Sequence, residues 1–134
     1  MRNRPNHERK AAAAVELAVL MPFLAFLFVI AVDFARVFYF SQVIENCARQ
    51  GVLYASDPKA PAYNLYTSVQ EAALADAGGL TPQPTVTSAT GTDLAGNAYV
   101  AVTVTWTFRT ITAFPGVPNN VNLSRTVQMR MAQQ

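Results

Sequence analysis

The sequence predicts an α+β protein in which one long N-terminal helix carries a short second helix and a small antiparallel sheet of about three strands. Three observations lead to this prediction. An apolar run from Ala11 to Val32 continues into an amphipathic segment that ends at Asp57-Pro58. After Gly79 the composition changes to threonine-rich sequence. The segment from Ala98 to Thr110 then alternates between large apolar residues and mostly polar ones, as in a half-buried strand.

The first residues, 1–11, form a basic leader. Arg2, Arg4, Arg9 and Lys10 outweigh Glu8, and residues 1–10 show no apolar periodicity. We therefore expect those ten residues to be a disordered, solvated arm. Positive charge beside an apolar run holds that end of a membrane helix on the cytoplasmic side, so these four cations predict a cytoplasmic N-terminus.

The remaining composition argues against several classes of function. From Asp33 onward six basic residues balance six acidic ones, which gives nucleic-acid binding little electrostatic support. Cys47 is the only cysteine, so neither an intramolecular disulfide nor a cysteine-based metal site can form. His7, in the leader, is the only histidine. We therefore expect no enzymatic activity, no metal, no cofactor and no small-molecule substrate.

The apolar run contains 22 residues with one charge, Glu16, and as a helix would extend about 33 Å, enough to cross a hydrocarbon core. A core helix of a soluble domain is one alternative, but the remaining chain is too small to enclose it. A cleaved secretory signal is another. The run is long for that class, however, and Ala31-Val32-Asp33 ends in an acid. A single transmembrane helix over residues 12–33 fits best, with an extracytoplasmic head over residues 34–134.

The helix is predicted to continue beyond the membrane to about residue 55. Apolar and small residues recur at three- and four-residue steps and define one face of the helix. That face consists of Phe34, Val37, Phe38, Ser41, Ile44, Ala48, Val52 and Ala55. Asp33 with Arg36, and Glu45 with Arg49, are spaced to pair on exposed faces. The apolar face must pack against the head.

The head is predicted to contain a second helix and the sheet. The second helix follows a linker at residues 59–61 and runs from Asn64, as N-cap, to Ala77 before Gly78-Gly79. The predicted strands are Thr85–Thr90, Ala98–Thr110 and Leu123–Ala132, with a turn at Thr92–Asn97 and a loop at Phe114–Asn120. Arg125 interrupts the apolar side of the last strand. A head of this size is marginal alone, so helix and sheet should form one unit.

The combination of a basic leader, a small-residue run, a glutamate, a long apolar helix and a small α+β head resembles pilins and pseudopilins. Residues 9–56 more narrowly resemble the TadE-like family of minor pilins from tight-adherence (Flp) pilus systems. The matching positions are Ala12, Ala13, Ala14, Val15, Glu16, Ala18, Pro22, Phe34, Arg36, Ala48, Arg49 and Gly51. The resemblance implies a pilin-like fold and a role in pilus assembly.

The resemblance also implies that a prepilin peptidase cuts between Ala11 and Ala12, where Ala11 occupies the position that usually holds glycine. Glu16 would become the fifth residue of the mature chain. In the pilin picture its carboxylate pairs with the α-amino group of a neighbouring subunit and sets the register of assembly. The alternative is that Glu16 lies at headgroup level and extends to water beside Arg9 and Lys10.

Two further residues have two interpretations each. Pro22 removes the helical hydrogen bond to the carbonyl of Ala18 and is predicted to loosen or kink the membrane helix. Proline is also tolerated in membrane helices without a special role. Cys47 is predicted to be a small core residue, and the alternative is an intermolecular disulfide.

The sequence thus favours a minor pilin or pseudopilin in the cytoplasmic (inner) membrane, with its C-terminus in the periplasm, that helps to assemble a tight-adherence pilus for adhesion or surface colonisation. Its expected partners are the membrane, a prepilin peptidase, other pilins or pseudopilins and the assembly platform. One alternative is a single-pass (bitopic) membrane protein whose head binds other envelope proteins and never enters a filament. Another is a secreted binding domain.

Overall fold

The computed structural model describes residues 5–112 and 118–132, and side chains from residue 10 onward. Three helices are followed by three strands. They are α1 (Pro5–Ser56), α2 (Ala60–Tyr63), α3 (Val69–Leu74), β1 (Thr85–Thr92), β2 (Ala98–Arg109) and β3 (Asn120–Arg130). The α+β prediction, with one long N-terminal helix and a three-stranded antiparallel sheet, is confirmed.

Helix α1 has 52 residues and is therefore about 78 Å long. It begins at Pro5, so the prediction of a disordered leader is wrong for residues 5–10. Proline is favoured in the first helical turn because its missing N–H has no intrahelical partner there, and a long helix extends cooperatively into weakly helical sequence. Arg2 and Arg4 lie outside the described residues. The predicted end of the helix before Asp57-Pro58 is confirmed.

The prediction of one helix over Asn64–Ala77 is wrong, because a non-helical segment at residues 64–68 separates two short helices. Asn64 is extended (φ −90°, ψ 154°) and ends α2 instead of starting the next helix. Ser68 is the N-cap of α3, and its hydroxyl accepts a hydrogen bond from the backbone N–H of Glu71 at 3.1 Å. The Glu71 carboxylate in turn accepts the backbone N–H of Thr67 at 2.8 Å. These side-chain bonds place the helix start four residues later than predicted.

The strands lie in the order β1-β2-β3 and all pairs are antiparallel. The predicted turn between β1 and β2 is confirmed, with Gly96 at φ +82° supplying the left-handed position. β1 extends two residues beyond its predicted end. β3 begins three residues before its predicted start and ends two residues before its predicted end. Residues 113–117, which hold most of the predicted Phe114–Asn120 loop, lie outside the described residues.

The core lies between the second half of α1 and one face of the sheet. Its buried residues are Ile44, Cys47, Ala48, Val52, Ala77, Leu80, Val100, Val102, Val104, Phe108 and Leu123. Cys47 is completely buried, which confirms it as a core residue. Its burial raises the pKa of the thiol. The predicted docking of the amphipathic half of the helix on the sheet is therefore correct in its centre.

Two aromatic residues assigned to the buried face of α1 are exposed instead. Phe34 and Phe38 are 74% and 63% accessible, whereas Ser41 and Ile44 on the same predicted face are buried. The sheet covers only one side of α1 around residues 33–38, and Asp33, predicted to be exposed, takes the covered position there. Helical spacing alone therefore predicts the wrong buried residues in this part of α1.

Arg125 interrupts the apolar side of β3 without being buried. It pairs in register with Val104, whose side chain is in the core, yet its own side chain is exposed. Its guanidinium donates to the carbonyl of Ser124 at 3.0 Å. The pKa of Glu45 is lowered mainly by its hydrogen bond to Arg49 and, to a smaller extent, by the charge of Arg125. The irregularity therefore lies at the edge of the core and leaves it intact.

Candidate functional site on the apolar stem

The first half of α1 projects from the head as an uncovered apolar helix, here called the stem (residues 11–32). Ten of its large side chains are exposed to between 38% and 71% of their area. They are Val15, Leu17, Val19, Leu20, Met21, Phe23, Leu24, Leu27, Phe28 and Val29. An 18-residue window of the helix reaches a mean hydropathy of 2.6, and none of it is buried within the protein. By length and composition the helix is a candidate membrane span.

The expected cleavage site lies at the start of the stem. Ala11 and Ala12 are both exposed and lie within the continuous helix, one turn before the larger apolar side chains begin. Lys10 is exposed immediately before them. The side chain of Arg9 lies outside the described residues. The structure therefore leaves both alanines accessible at the junction between the charged leader and the stem.

Glu16 lies on the surface of the stem among apolar residues. Val15, Val19 and Leu20 surround it and form a shallow apolar depression. Among the side chains that the structure describes, none forms a hydrogen bond or an ion pair with its carboxylate. An unpaired carboxylate is unfavourable in or near hydrocarbon, and within the described side chains Glu16 has no group that offsets this cost.

Pro22 lies inside α1, one and a half turns beyond Glu16, and the helix continues through it. Because proline has no backbone N–H, the carbonyl of Ala18 cannot receive its usual helical hydrogen bond. The stem therefore has one weakened turn between Glu16 and the head. Whether the helix bends at this turn stays a prediction.

Asp33 connects the stem to the head, a role that the sequence reasoning missed. The backbone N–H of Ile111 donates to both carboxylate oxygens at 3.0 and 3.1 Å, and the N–H of Thr112 donates to one of them at 2.9 Å. The hydroxyl of Thr112 donates to the same oxygen, and Arg36 forms an ion pair at 3.1 Å. The predicted Asp33–Arg36 pair is therefore present, but Asp33 itself is buried.

An aromatic cluster holds the next turns of α1 against the end of β2. The ring of Phe40 lies 5.0 Å from that of Trp106 and 5.6 Å from that of Phe108, centroid to centroid. The guanidinium of Arg36 lies over the Phe108 ring at 4.9 Å. Stacked rings and a cation over a ring face are both favourable contacts. The cluster and the Asp33 hydrogen bonds together fix the orientation of the stem relative to the sheet.

One sequence signal could have located the Asp33 contact. The N–H of Thr110, just after β2, donates to the carbonyl of Asn119, just before β3, so the next residue directs its backbone groups to the opposite edge. Ile111 follows β2 at such a position and needs an acceptor from elsewhere. A single acid at the end of a long apolar run is the nearest candidate. The sequence did not show that the two would meet, because 78 positions separate them.

The stem and the first turns of the head are the part of the chain with a detectable relationship to known proteins. A family model described as TadE-like protein matches residues 11–53. No curated protein and no solved structure matches this chain. The matched range contains the stem, the Asp33 contact and the core-facing half of α1, and it ends just after Gly51. The resemblance predicted from the motifs is therefore confirmed over residues 11–53, which are similar to the TadE-like family.

Proposed function

We propose that this protein is a minor pilin or pseudopilin that takes part in assembling a tight-adherence (Flp/type IV-like) pilus for adhesion or surface colonisation. The stem anchors it in the cytoplasmic membrane, with the N-terminus in the cytoplasm and the head in the periplasm. A prepilin peptidase cuts between Ala11 and Ala12. The partners are other pilins or pseudopilins and the assembly platform.

Two features support this proposal at the level of the whole molecule. The TadE-like range covers an apolar helix in which no residue of the most apolar window is buried within the protein, as in a membrane-anchored subunit. The other half of the same helix supplies one side of the head core, so stem and head form one unit. A subunit built in this way can move from membrane to filament without refolding its head.

The observation that carries the proposal is the unpaired carboxylate of Glu16. It lies on an apolar, exposed surface, four residues after Ala12, and no described side chain neutralises it. Cleavage before Ala12 would create an α-amino group at the corresponding level of every subunit. If the Glu16 carboxylate pairs with this amino group on a neighbouring subunit, the ion pair offsets the cost of an unpaired charge near hydrocarbon. The same pair would set the axial register between the two subunits.

The test compares Glu16→Gln and Glu16→Ala with Val19→Ala, a control at an exposed stem position nearby. All three proteins should insert into membranes as the unchanged protein does, because one residue of a long apolar span is altered. Recovery of both Glu16 variants in sheared pili should fall about tenfold or more, as expected for loss of a charged hydrogen bond. Val19→Ala should be recovered normally.

Normal recovery of both Glu16 variants would refute the register role. Normal membrane insertion without recovery of any form of the protein in pili would favour the second candidate, a bitopic membrane protein whose head binds other envelope proteins. Carbonate extraction of membranes and immunoblotting of the sheared fraction distinguish these results.

A further inference from the structure

Exposed aromatic residues continue along α1 beyond the predicted span and then stop. Phe34, Phe38 and Tyr39 are 74%, 63% and 63% accessible. Among the described residues of α1, the next large apolar side chain exposed to a similar degree is Leu53. The exposed positions in between, from 42 to 50, hold Gln42, Asn46, Arg49 and Gln50. The apolar surface of the helix therefore ends at Tyr39, about two turns beyond the predicted span.

The length of this aromatic segment matches the thickness of a lipid headgroup layer. Residues 12–33 extend about 33 Å as a helix, close to the roughly 30 Å of a hydrocarbon core. Residues 34–39 add about 9 Å, compared with roughly 5–8 Å for the polar layer on one side of the bilayer. Tyrosine concentrates in this layer because its ring is apolar and its hydroxyl is polar, and Tyr39 lies at the outer end of the segment, with Phe34 and Phe38 nearer the hydrocarbon core.

The Asp33 contact brings the end of the sheet to the same level. Because Asp33 accepts the backbone N–H groups of Ile111 and Thr112, the residues that follow β2 lie beside the last turn of the predicted span. Ile111 is 64% exposed there. Arg109 is also exposed, at the last position of β2. The head therefore presents an aliphatic side chain and a guanidinium at the height of the exposed aromatic residues.

We infer that this end of the head rests directly on the extracytoplasmic headgroup layer, with Phe34, Phe38, Tyr39 and Ile111 in contact with lipid. The guanidinium of Arg109 faces lipid phosphates, which it can bind through paired hydrogen bonds. Since Asp33 ties the head to the end of the span, the head has no free stalk and cannot move away from the membrane while the stem remains inserted. This inference rests on the membrane anchoring in the proposed function.

The turn between β1 and β2 offers a matched control position. Leu94 is fully exposed in that turn, at the opposite end of β2 from Ile111. β2 has 12 residues, so the two positions are separated by roughly 40 Å along the sheet. Both are exposed aliphatic residues in connecting segments. A probe at Leu94 should therefore report the aqueous end of the head, and one at Ile111 the lipid end.

The experiment uses the full chain in vesicles of phosphatidylethanolamine and phosphatidylglycerol. Cys47→Ala removes the native thiol, and single cysteines then replace Leu24, Phe38, Ile111 or Leu94, each labelled with an environment-sensitive fluorophore. Lipids with a nitroxide near the headgroup serve as quenchers for positions 38, 111 and 94, and lipids with a nitroxide deep in the acyl chain serve as quenchers for position 24, near the middle of the predicted span. We expect strong quenching at 24 by the acyl-chain nitroxide, and quenching at 38 and 111 by the headgroup nitroxide at least about threefold greater than at 94. Circular dichroism confirms that each variant is folded.

The quenching pattern distinguishes the contact with the headgroup layer from the membrane anchor itself. Quenching at 24 without quenching at 38 and 111 would overturn the inference and leave the membrane anchor intact. Absence of quenching at 24 would refute the anchor itself, and the inference with it. A probe at 111 that is protected from aqueous iodide but not quenched by lipid would also overturn the inference, because another copy of the protein would then cover this surface.

Discussion

The backbone N–H of Thr112 donates to a carboxylate oxygen of Asp33 at 2.9 Å, across 79 positions of the chain. The contact joins the residue that ends the apolar stem to the residues that follow the central strand. Without the head, the Asp33 carboxylate would stand at the end of the apolar stem with only Arg36 as a partner. With it, the carboxylate is fully hydrogen-bonded, and the stem leaves the head in one fixed direction.

Asp33→Ala should release the end of the head from the stem. The backbone N–H groups of Ile111 and Thr112 would lose their acceptor, and unpaired backbone groups at a partly buried site are unfavourable. We expect a lower thermal midpoint and loss of hydrogen-exchange protection at these two amides, measured by NMR in detergent. Glu45→Ala, which removes an exposed ion pair with Arg49, is the control and should leave both amides protected.

Unchanged exchange at both amides in Asp33→Ala would show that the aromatic cluster alone positions the head. Asp33→Asn keeps one acceptor oxygen and should give an intermediate result. Comparing Asp33→Ala with Asp33→Asn therefore separates the contribution of the hydrogen bonds from that of the negative charge.

Processing should begin the mature chain at Ala12. Intact mass and N-terminal sequencing of the membrane fraction check this, because a chain that starts at Met1 would be an uncut anchor and one that starts near residue 33 or beyond would be a secreted domain. Ala11→Gly should be cut at least as fast as the unchanged chain, since the side chain becomes smaller. Ala11→Leu should accumulate uncut. Equal cleavage of all three would contradict a narrow subsite for residue 11.

Gly51→Leu should destabilise the head. A Cβ atom at Gly51 would lie 3.0 Å from the Cβ of Ala73 and 3.0 Å from a methyl group of Val102, so α1 approaches both α3 and the sheet there. Inserting a large side chain into a packed core costs about 1–3 kcal/mol. Gly78→Leu is the matched control, because nothing lies within 4 Å of a Cβ at that position. Equal chemical denaturation of the two variants would exclude close packing as the reason for glycine at position 51.

The β1–β2 turn should weaken in acid through Asp93. Backbone N–H groups of Asn97 and Ala95 donate to its carboxylate at 2.8 and 2.9 Å, and Arg130 pairs with it at 3.0 Å. These contacts, led by Asn97, lower the pKa of Asp93 below its usual value. The stabilisation is thus fully present above the unfolded pKa of about 3.9 and is lost as the pH falls through the lower folded pKa.

Asp93→Asn removes this titration, so its stability should fall less steeply than that of the unchanged protein as the pH falls below about 4. Thermal unfolding followed by circular dichroism across this range provides the measurement. Parallel pH profiles for the two proteins would show that Asp93 does not contribute. Chemical shifts of the Asn97 amide, recorded during the same titration, assign the effect to this turn.

The sequence by itself determined the large elements of this protein. The apolar run, Glu16 within it and the alternation along β2 are local patterns, each confined to one segment whose period is set by its own backbone geometry. The signal that ends α1, the Asp57-Pro58 pair, is equally local. These features could be placed without knowing what they would contact, and the TadE-like resemblance rests on the same stretch.

Only the tertiary structure decided which sides of α1 are covered just after the stem. Phe34 and Phe38 follow the helical spacing of core residues, yet the sheet reaches the opposite side of that turn and buries Asp33. The reason is that the backbone N–H groups of Ile111 and Thr112 both reach this point and require an acceptor. The carboxylate of Asp33 accepts their hydrogen bonds, which an aromatic ring would not do as well. A hydrogen-bonding demand that arises 78 positions away leaves no trace in the local pattern of α1.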